Sequence, residues 1–529
     1  MASKKTTAAK PKGSTESFDY DAAVTTNRRK APRTKLAAEH IILPQAKRKK
    51  VTATVQDQVR NVSVAAWAVR RHLDYVSKFR FQFRTGNEAL DKLVNRLFDW
   101  HARPRNFDIA ERFGREEMFR MFESEKVTAG DAAIAKLANG KMQAIESDLI
   151  ALPADGRWNK TNGRYDPVPK KVARSVNKDT GVVMDPKAPG RVAEYCICNR
   201  GDTGKGLAFD HLESARNVIF DAYYTRFSSQ VRGVSPLTTA INSIQDLYEG
   251  VDWNLAKAKA HALFGIAIMR DYATAGSDQE EIDELGAVAG ITTGADENKT
   301  GASESEGGTK SVSSSLQQYQ PDQMMLLDME TRGRVDTIES KNPSSEFQAF
   351  TELVLRLVFL ALDIPFTAFN SRASNFSGLI ADQNMYDVSC KWKREKNGWK
   401  RQEYSDWLIE RAWHDPEWQL REAANAAGIS RLREVQAEAK WVPSGSPWLQ
   451  KLQEVQGDIK AISVGLDNPI DACKRRGTDF FENIRKTADA YRFAEEHDVP
   501  LMIGEPGQAT VEESEGKSNE TEGDGNEQD

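Results

Sequence analysis

Residues able to perform catalysis are scattered through this 529-residue chain and form no recognisable motif. The seven histidines stand singly, and isolated histidines are more often structural than catalytic. The Gly-rich loop with Lys and Ser/Thr that cradles nucleotide phosphates does not occur, nor does His-Glu-x-x-His or Gly-x-Ser-x-Gly. The sequence therefore predicts no catalytic residue and no cofactor, although carboxylates on separate segments remain able to build a metal-dependent nuclease.

Cysteine placement also argues against a metal centre. Cys196 and Cys198 are two residues apart in the strand-like segment VAEYCICN, so both side chains should point to the same face of a strand. A metal site needs further ligands at matching spacing, and none lies nearby. The pair is predicted to lie in a plain buried strand. Four cysteines in so long a chain make no disulfide framework and are expected to stay reduced, as in a cytoplasm.

A polar loop is the most distinctive candidate for a binding function. The segment FTAFNSRASNFSG, residues 366–378, separates two long helical patterns at about 344–363 and 379–413. Its single charge is Arg372, and its other candidate contact residues are Asn370, Ser371, Ser374, Asn375 and Ser377. Ordinary connections between helices are shorter, so this length and composition indicate a functional loop.

A third helix is predicted at 236–265. Gly233-Val234-Ser235-Pro236 is typical of a helix start, with Ser as the cap and Pro in the first turn. An apolar face follows at spacings of three and four, formed by Leu237, Ile241, Ile244, Leu247 and Val251. The far end alternates small and basic residues, with alanine at Ala256, Ala258, Ala260 and Ala262. Such a slim helix suits packing beside copies of itself.

The remaining pattern mixes helices and strands. Helices are predicted at 60–76, 87–101 and 107–124, and a period-2 strand at Phe79–Phe83. Asn139-Gly140 lies between two strand-like runs and indicates a hairpin. Short strands are also expected in DQMMLLDM and GRVDTIES. Between 275 and 318, Gly, Ser, Thr and acidic residues dominate, which is typical of a flexible insertion.

Charge is distributed unevenly between the two ends. Residues 1–50 carry thirteen Lys and Arg against four acids, and residues 501–529 carry nine acids and one Lys. Both ends are predicted to be disordered, with ordered structure beginning near Val55. The basic arm is either solvated or in contact with nucleic acid or an acidic partner. No run of eighteen apolar residues and no secretory signal is present, so no membrane association is expected.

Three segments in order resemble the lambda-like family of phage portal proteins. The first is matched at Arg232, Gly233, Val234, Ser235, Asp246, Leu247, Ala256 and Lys257. The second is matched at Phe347, Phe350, Leu355, Arg356, Ala361, Leu362, Ile364, Pro365, Asn375, Phe376 and Ser377. The third is matched at Trp441, Pro447, Trp448, Lys451, Glu454, Ile462, Gly465, Leu466, Arg476, Gly477 and Asp479. Together they cover about residues 56–495.

Two positions depart from the family pattern. Asp363 stands where the family usually has Gly, and Gly378-Leu379-Ile380-Ala381 replaces Ser-x-Arg-Ala. The second departure places Gly and apolar residues at the start of the following helix, where the family pattern has Ser and Arg.

The resemblance implies an α+β portal fold of wing, stem, clip and crown that assembles into a ring, typically of twelve copies. The implied divisions are a basic arm at 1–55, wing at 56–235, stem helix at 236–265, clip at 266–343, second stem helix at 344–364, channel loop at 365–378, long wing helix and following segment at 379–445, crown at 446–500 and acidic tail at 501–529. The implied partners are further copies of the chain, double-stranded DNA, the major capsid protein, the terminase and the head–tail connector. The implied location is the portal vertex of the virion, after assembly in the host cytoplasm.

Two other function classes stay open at this stage. One is a DNA-processing packaging enzyme, either a nuclease or a motor subunit, which would require an acidic metal cluster or a nucleotide site. The other is a capsid-associated structural protein that forms no ring. The first would show metal-dependent turnover, and the second would be separated from a portal by its mass and its images.

Overall fold

Helices dominate the fold, with short strands between them. The computed structural model describes residues 37–153, 157–159, 164–166, 170–188, 190–200, 206–224, 226–263, 266–269, 326–329, 334–336, 345–445 and 451–499. The described helices are α1 (Glu39–Ile42), α2 (Gln45–Asn61), α3 (Ser63–Val76), α4 (Glu88–His101), α5 (Pro104–Phe107), α6 (Arg115–Ala129), α7 (Lys170–Ser175), α8 (Ile241–Leu263), α9 (Ser345–Leu360), α10 (Phe376–His414), α11 (Leu420–Ala426), α12 (Leu432–Glu438), α13 (Lys451–Ser463), α14 (Pro469–Arg475) and α15 (Phe480–Glu496).

The described strands form small sheets, mostly antiparallel. They are β1 (Phe79–Phe83), β2 (Asp131–Lys136), β3 (Met142–Ile145), β4 (Arg157–Asn159), β5 (Arg164–Asp166), β6 (Val182–Met184), β7 (Val192–Arg200), β8 (Leu207–Ser214), β9 (Val218–Ala222), β10 (Ile266–Met269), β11 (Leu326–Met329), β12 (Arg334–Asp336) and β13 (Ala439–Pro443). The sheet orders are β3-β2-β9, β6-β7-β8, β11-β10-β12, β1-β13 and β4-β5. The strands β10 and β11 pair in parallel. The predicted mixture of helix and strand is confirmed.

Two apolar clusters lie along the 39-residue helix α10. Its C-terminal half contributes Tyr404 and Leu408 to a cluster that contains residues of α4, α6, β2 and α11. Its N-terminal half contributes Tyr386 and Cys390 to a second cluster, with residues of α2, α3, α8 and α9. One helix thereby joins the helical layer that carries the polar loop to the layer that supports the strands.

Several local predictions are confirmed. Residues around Asn139-Gly140 form the β2–β3 hairpin, with Gly140 at a φ of 87°. Cys196 and Cys198 are both fully buried in β7. The strand prediction at Phe79–Phe83 and the helix prediction at 87–101 match β1 and α4. The two predicted strands after the insertion are β11 and β12, while the insertion at 275–318 lies outside the described residues.

Three predicted boundaries are wrong. Ordered structure does not begin near Val55, because α2 runs from Gln45 to Asn61 and Val55 is completely buried within it. The helix predicted at 107–124 begins instead at Arg115, where the Gly114 N–H is capped by the Glu117 carboxylate. The long helix begins at Phe376 and not at 379. The Asn375 side chain accepts a hydrogen bond from the Gly378 N–H and fixes that start.

The chain divides after Trp441 into two compact units. The second unit contains α13, α14 and α15. Asn468 caps α14 and Asp479 caps α15, each through a side-chain oxygen that accepts a backbone N–H. The segment predicted as the crown, 446–500, coincides with most of this unit, but its assignment as a crown stays a prediction.

Candidate functional site

Aromatic side chains hold the polar loop on the helical layer. The loop starts after α9 with two short 3-10 turns, Phe366–Ala368 and Ser371–Ala373. The Phe369 ring lies 5.4 Å from the Trp67 ring of α3 and 5.5 Å from the Phe359 ring of α9, measured between centroids. Phe366 packs against the same group, with the Arg356 guanidinium 4.9 Å from its ring centroid. These contacts anchor one side of the loop.

The other side of the loop presents the predicted polar residues. Ser371, Arg372, Asn375 and Ser377 are exposed, whereas Asn370 and Ser374 are half-buried. Two of these six residues also stabilise the loop and the helix that follows it. Asn370 accepts a hydrogen bond from the Arg372 N–H, and Asn375 caps α10. Ser377 lies in the first turn of α10, so the loop is shorter than the 365–378 predicted. The structure thus brings all six residues together at one connection.

Asp363 explains one of the two departures from the family pattern. Its φ is 60°, in the left-handed region that favours glycine. Asp is among the residues that tolerate this conformation. Its carboxylate is held by the Lys393 ammonium of α10, with Nζ and Oδ2 2.7 Å apart. The turn after α9 therefore keeps a backbone shape suited to glycine, and an ion pair secures it.

The buried salt bridge between Arg232 and Asp131 is the most heavily bonded polar contact near α8. Arg232 Nε and Nη2 donate to the two Asp131 oxygens at 2.7 and 2.8 Å. Its remaining N–H groups donate to the carbonyls of Ile150, Thr180 and Ser147, all within 2.8 Å. Burial alone would raise the pKa of Asp131, but the Arg232 charge and hydrogen bonds hold it below the ordinary value. Arg232 thereby ties β2 to two segments, the turn at 147–150 and the turn at Thr180.

Gly233 and Ser235 continue this junction into α8. A Cβ on Gly233 would lie 1.9 Å from the Gly130 carbonyl oxygen, so only glycine fits there. The Ser235 hydroxyl donates to the Val127 carbonyl and accepts from the Leu237 N–H, so Ser235 caps the 3-10 turn Pro236–Thr239. The helix predicted from residue 236 begins only at Ile241, after this turn. The sequence identified these residues as a helix start but missed their second role. They lock α8 to the C-terminal end of α6.

Three helices of the first unit expose large apolar side chains. On α8 the exposed ones are Tyr248, Val251, Trp253 and Leu255, and on α9 they are Phe350, Leu353, Leu357 and Leu360. On α10 they are Met385, Val388, Trp392 and Trp399, spaced so that they fall on one face. Exposed fractions reach 75% at Trp253 and 60% at Trp392. Apolar patches of this extent are typical of surfaces that another protein covers.

The alanine row predicted for ring packing lies in α8, which ends at Leu263. Ala256 is exposed. The side chains of Ala258, Ala260 and Ala262 lie outside the described residues. Their packing role stays a prediction.

A family model of phage portal proteins, lambda family, matches residues 25–383, more than half of the chain. The chain belongs to the lambda family of phage portal proteins. The resemblance carried by the helix start and the polar loop is therefore confirmed. Both lie inside the matched range.

Solved structures of particle necks are similar to this portal-family chain at low identity. "Neck of native GTA particle computed with C12 symmetry" is 12% identical, with 78% of this chain and 89% of that chain covered and a TM-score of 0.41. "Neck of empty GTA particle computed with C6 symmetry" is also 12% identical, with 82% and 93% covered and a TM-score of 0.41. TM-scores this low carry no argument about fold or assembly. Among curated proteins, none matches.

The described part of this portal-family chain contains no group of three His, Cys, Asp or Glu able to hold a metal ion. Two histidines are core hydrogen-bonding residues. His101 contacts the Tyr404 hydroxyl at 2.9 Å and the Gly140 carbonyl at 2.8 Å, and burial lowers its pKa to about 4. His72 lies between the hydroxyls of Tyr223 and Tyr386. The four cysteines are free. No described helix has the length and hydropathy needed to cross a bilayer.

Proposed function

We propose that the chain forms the ring-shaped DNA conduit at one vertex of a viral capsid, through which the genome is packaged and ejected. The observation that carries the proposal is the exposed polar loop within the portal-family region, anchored from inside by Trp67, Phe359 and Phe369. A loop held in this way can project from every subunit at the same height. Twelve copies would give a polar collar with one ring of positive charge from Arg372.

The charge of this loop suits a conduit. A channel must hold a polyanion without gripping it, because each Lys or Arg that pairs with a phosphate strengthens attachment and makes it depend on salt. One exposed cation per subunit among hydroxyl and amide groups meets that requirement. The proposal involves no catalytic step and no cofactor.

Ring closure is proposed to occur through the exposed apolar faces of α8, α9 and α10, together with the alanine row at 256–262. Adjacent subunits would contact each other head to tail, so that one face of each chain meets a different face of the next. The wing, stem, clip and crown divisions predicted from the sequence belong to this proposal. So do contacts with the major capsid protein, the terminase and the head–tail connector, and a location at the virion portal vertex after assembly in the host cytoplasm.

The direct test of assembly is the mass and end-on image of the purified full chain at moderate salt. A closed ring of about twelve subunits with a central hole is the expected result. A monomer that cleaves DNA when a divalent metal is added would overturn the proposal in favour of a processing enzyme. An assembled particle without a central hole would overturn it in favour of a capsid protein that forms no ring.

The loop is tested by substitution in particles. Arg372→Ala is expected to change the amount of DNA retained after packaging, because it removes the only charged side chain at the collar, whereas Arg372→Lys keeps the charge and should behave like the parent. Asn375→Asp preserves the cap of α10 and adds a negative ring that repels DNA. Normal packaging and retention by both Arg372→Ala and Asn375→Asp would show that the loop is not the collar.

A further inference from the structure

The first unit contains a cavity far from the polar loop in sequence. Its volume is about 380 Å³, within the range of sites that hold a small molecule or a few side chains. Its walls are mostly aromatic and aliphatic, formed by Tyr195, Phe220, Tyr224, Phe227, Val192 and Val231. The Phe227 side chain is 79% exposed, although it belongs to a wall of this cavity. Tyr224, in the same wall, is 49% exposed, and the two rings together form an exposed apolar patch of the kind that another segment covers.

One positively charged side chain lies at the rim of the cavity. Arg226 lines the cavity. Behind Tyr224, the Lys396 ammonium lies 4.9 Å from the centroid of its ring and is already paired with Asp221, so Arg226 is the cation that faces the opening. Side-chain packing and a hydrogen bond hold the wall in place. Tyr195 and Phe220 pack at 5.2 Å between ring centroids, and the Arg226 N–H donates to the Gln230 side-chain oxygen, which closes the turn that carries Phe227. The cavity therefore suits an aromatic segment flanked by acids.

The N-terminal part of the chain arrives at this rim. The Arg226 guanidinium donates to the Ala37 carbonyl and lies 3.9 Å from the Glu39 carboxylate. Upstream of Ala37, the first 36 residues contain just two aromatic residues, Phe18 and Tyr20. They stand in the segment Glu16-Ser17-Phe18-Asp19-Tyr20-Asp21, where three acids surround them.

We propose that this aromatic segment, residues 16–21, docks in the cavity of its own chain, with Phe18 and Tyr20 against Phe227 and Tyr224 and with its acids beside Arg226. Sixteen residues lie between Tyr20 and Ala37, enough to reach roughly 55 Å when extended, so the tether imposes no restraint on docking. Attachment of Ala37 at the rim keeps the segment at high local concentration. The basic residues between, including Arg28, Arg29 and Lys30, would then form a loop at the surface. This inference does not depend on ring assembly.

Photo-cross-linking of the full chain tests the placement. A benzoylphenylalanine at position 18 is expected to cross-link to the peptide that contains Tyr224 to Gln230, and the same probe at Thr7 is not. Cross-links elsewhere, or none above the Thr7 control, would overturn the proposal. Mixing ¹⁵N-labelled and unlabelled chains before assembly identifies the source of the segment. Cross-linked pairs of mixed isotope composition would place the segment in a neighbouring copy and overturn docking in the same chain.

Hydrogen exchange gives a second readout. In the intact chain, amides of residues 16–21 are expected to exchange at least tenfold more slowly than in the Phe227→Ala variant, a ratio that corresponds to about 1.4 kcal/mol. Phe227 is mostly exposed, so its removal should leave the fold intact. Tyr248→Ala, which removes an exposed aromatic from α8, is the matched control and should not change exchange in this segment. Equal exchange in the intact chain and in Phe227→Ala would contradict the proposal.

Discussion

Burial and ion pairing shift the pKa of the Asp131 carboxyl group in opposite directions. Burial favours the neutral acid, yet the Arg232 guanidinium keeps the group ionised and its pKa lowered. Glu125, which accepts a hydrogen bond from the Ser147 N–H in the same region, has no such cation. Burial raises its pKa to about 7. Two neighbouring carboxyls therefore respond differently to pH, because only one of them has an arginine partner.

Loss of the Arg232 side chain should strongly destabilise the fold. Arg232→Ala leaves the Asp131 charge buried without its partner, so the free energy of unfolding should fall by about 3–5 kcal/mol. Thermal and urea unfolding measure the change. Arg216→Ala, at an exposed position between β8 and β9, should stay within about 0.5 kcal/mol of the parent. Equal effects of the two substitutions would refute the structural role assigned to Arg232.

Glu125 predicts a pH dependence of stability. Its folded pKa of about 7 is above the ordinary 4.5, so the folded chain binds this proton more tightly than the unfolded chain. The stability that results is complete below pH 4.5 and is lost as the pH rises to about 7. Relative to the parent, the free energy of unfolding of Glu125→Gln should therefore rise by roughly 1–3 kcal/mol across that window. Above pH 7 the difference should stay constant.

Urea unfolding of both chains at a series of pH values measures this difference. Glu410→Gln is the control, because Glu410 is exposed on α10 and should show no such window. A difference between Glu125→Gln and the parent that stays constant from pH 4.5 to 7 would contradict the prediction.

Among the helices, the contact between the end of α6 and the start of α8 depends on two glycines. Gly130 ends α6 with a φ of 100°, and Gly233 passes against its carbonyl. The Ser235 hydroxyl adds a bond to Val127 in the last turn of α6. The residues that precede α8 thus fix where the helix starts, and its apolar face then packs on α9 and α2.

Two glycine substitutions distinguish the effect of this contact on stability from the effect of helix propensity. Gly233→Ala places a methyl group against backbone that cannot move away, and should lower the free energy of unfolding by about 3 kcal/mol or more. Gly250→Ala, in the middle of α8, meets nothing within 4 Å and should raise it by about 0.5–1 kcal/mol. Thermal unfolding distinguishes the two. A tolerated Gly233→Ala would mean that α6 and α8 do not meet as described.

For the whole first unit, the exposed apolar faces of α8, α9 and α10 are the main feature left unexplained by a single chain. Trp392 and Trp399 lie edge to face, 5.0 Å between centroids, on the surface of α10. The opposite side of the same helix is buried through Tyr404 and Arg401. A helix with one face in the core and a second apolar face exposed is consistent with assembly into the proposed ring.

Val388→Glu tests that face. Because Val388 is 68% exposed, a carboxylate there should leave the isolated chain folded and should place a charge within the subunit contact. We expect an intact circular dichroism spectrum together with a loss of rings in mass measurement and images. Asn199→Glu, which adds the same charge at an exposed position of β7, should still assemble. Normal ring formation by Val388→Glu would exclude this face from the interface.

The sequence by itself determined the local features of this protein. Turn and periodicity signals predicted the hairpin at Asn139-Gly140, the cap at Ser235 and the strand of β1, because each depends on residues close along the chain. The motif residues also identified the family. The start of α10 was predicted three residues late, although Asn375 is a good N-cap residue and offered a usable signal.

Only the tertiary structure decided which distant residues meet. Arg232 pairs with Asp131, 101 residues earlier, and Phe369 of the polar loop packs on Trp67. Side-chain periodicity reports which face of an element is buried, but not which element covers it. For the same reason, the sequence of α9 predicts one broad apolar face. In the structure Val358 and Phe359 are buried, whereas Leu353 and Leu357 are exposed.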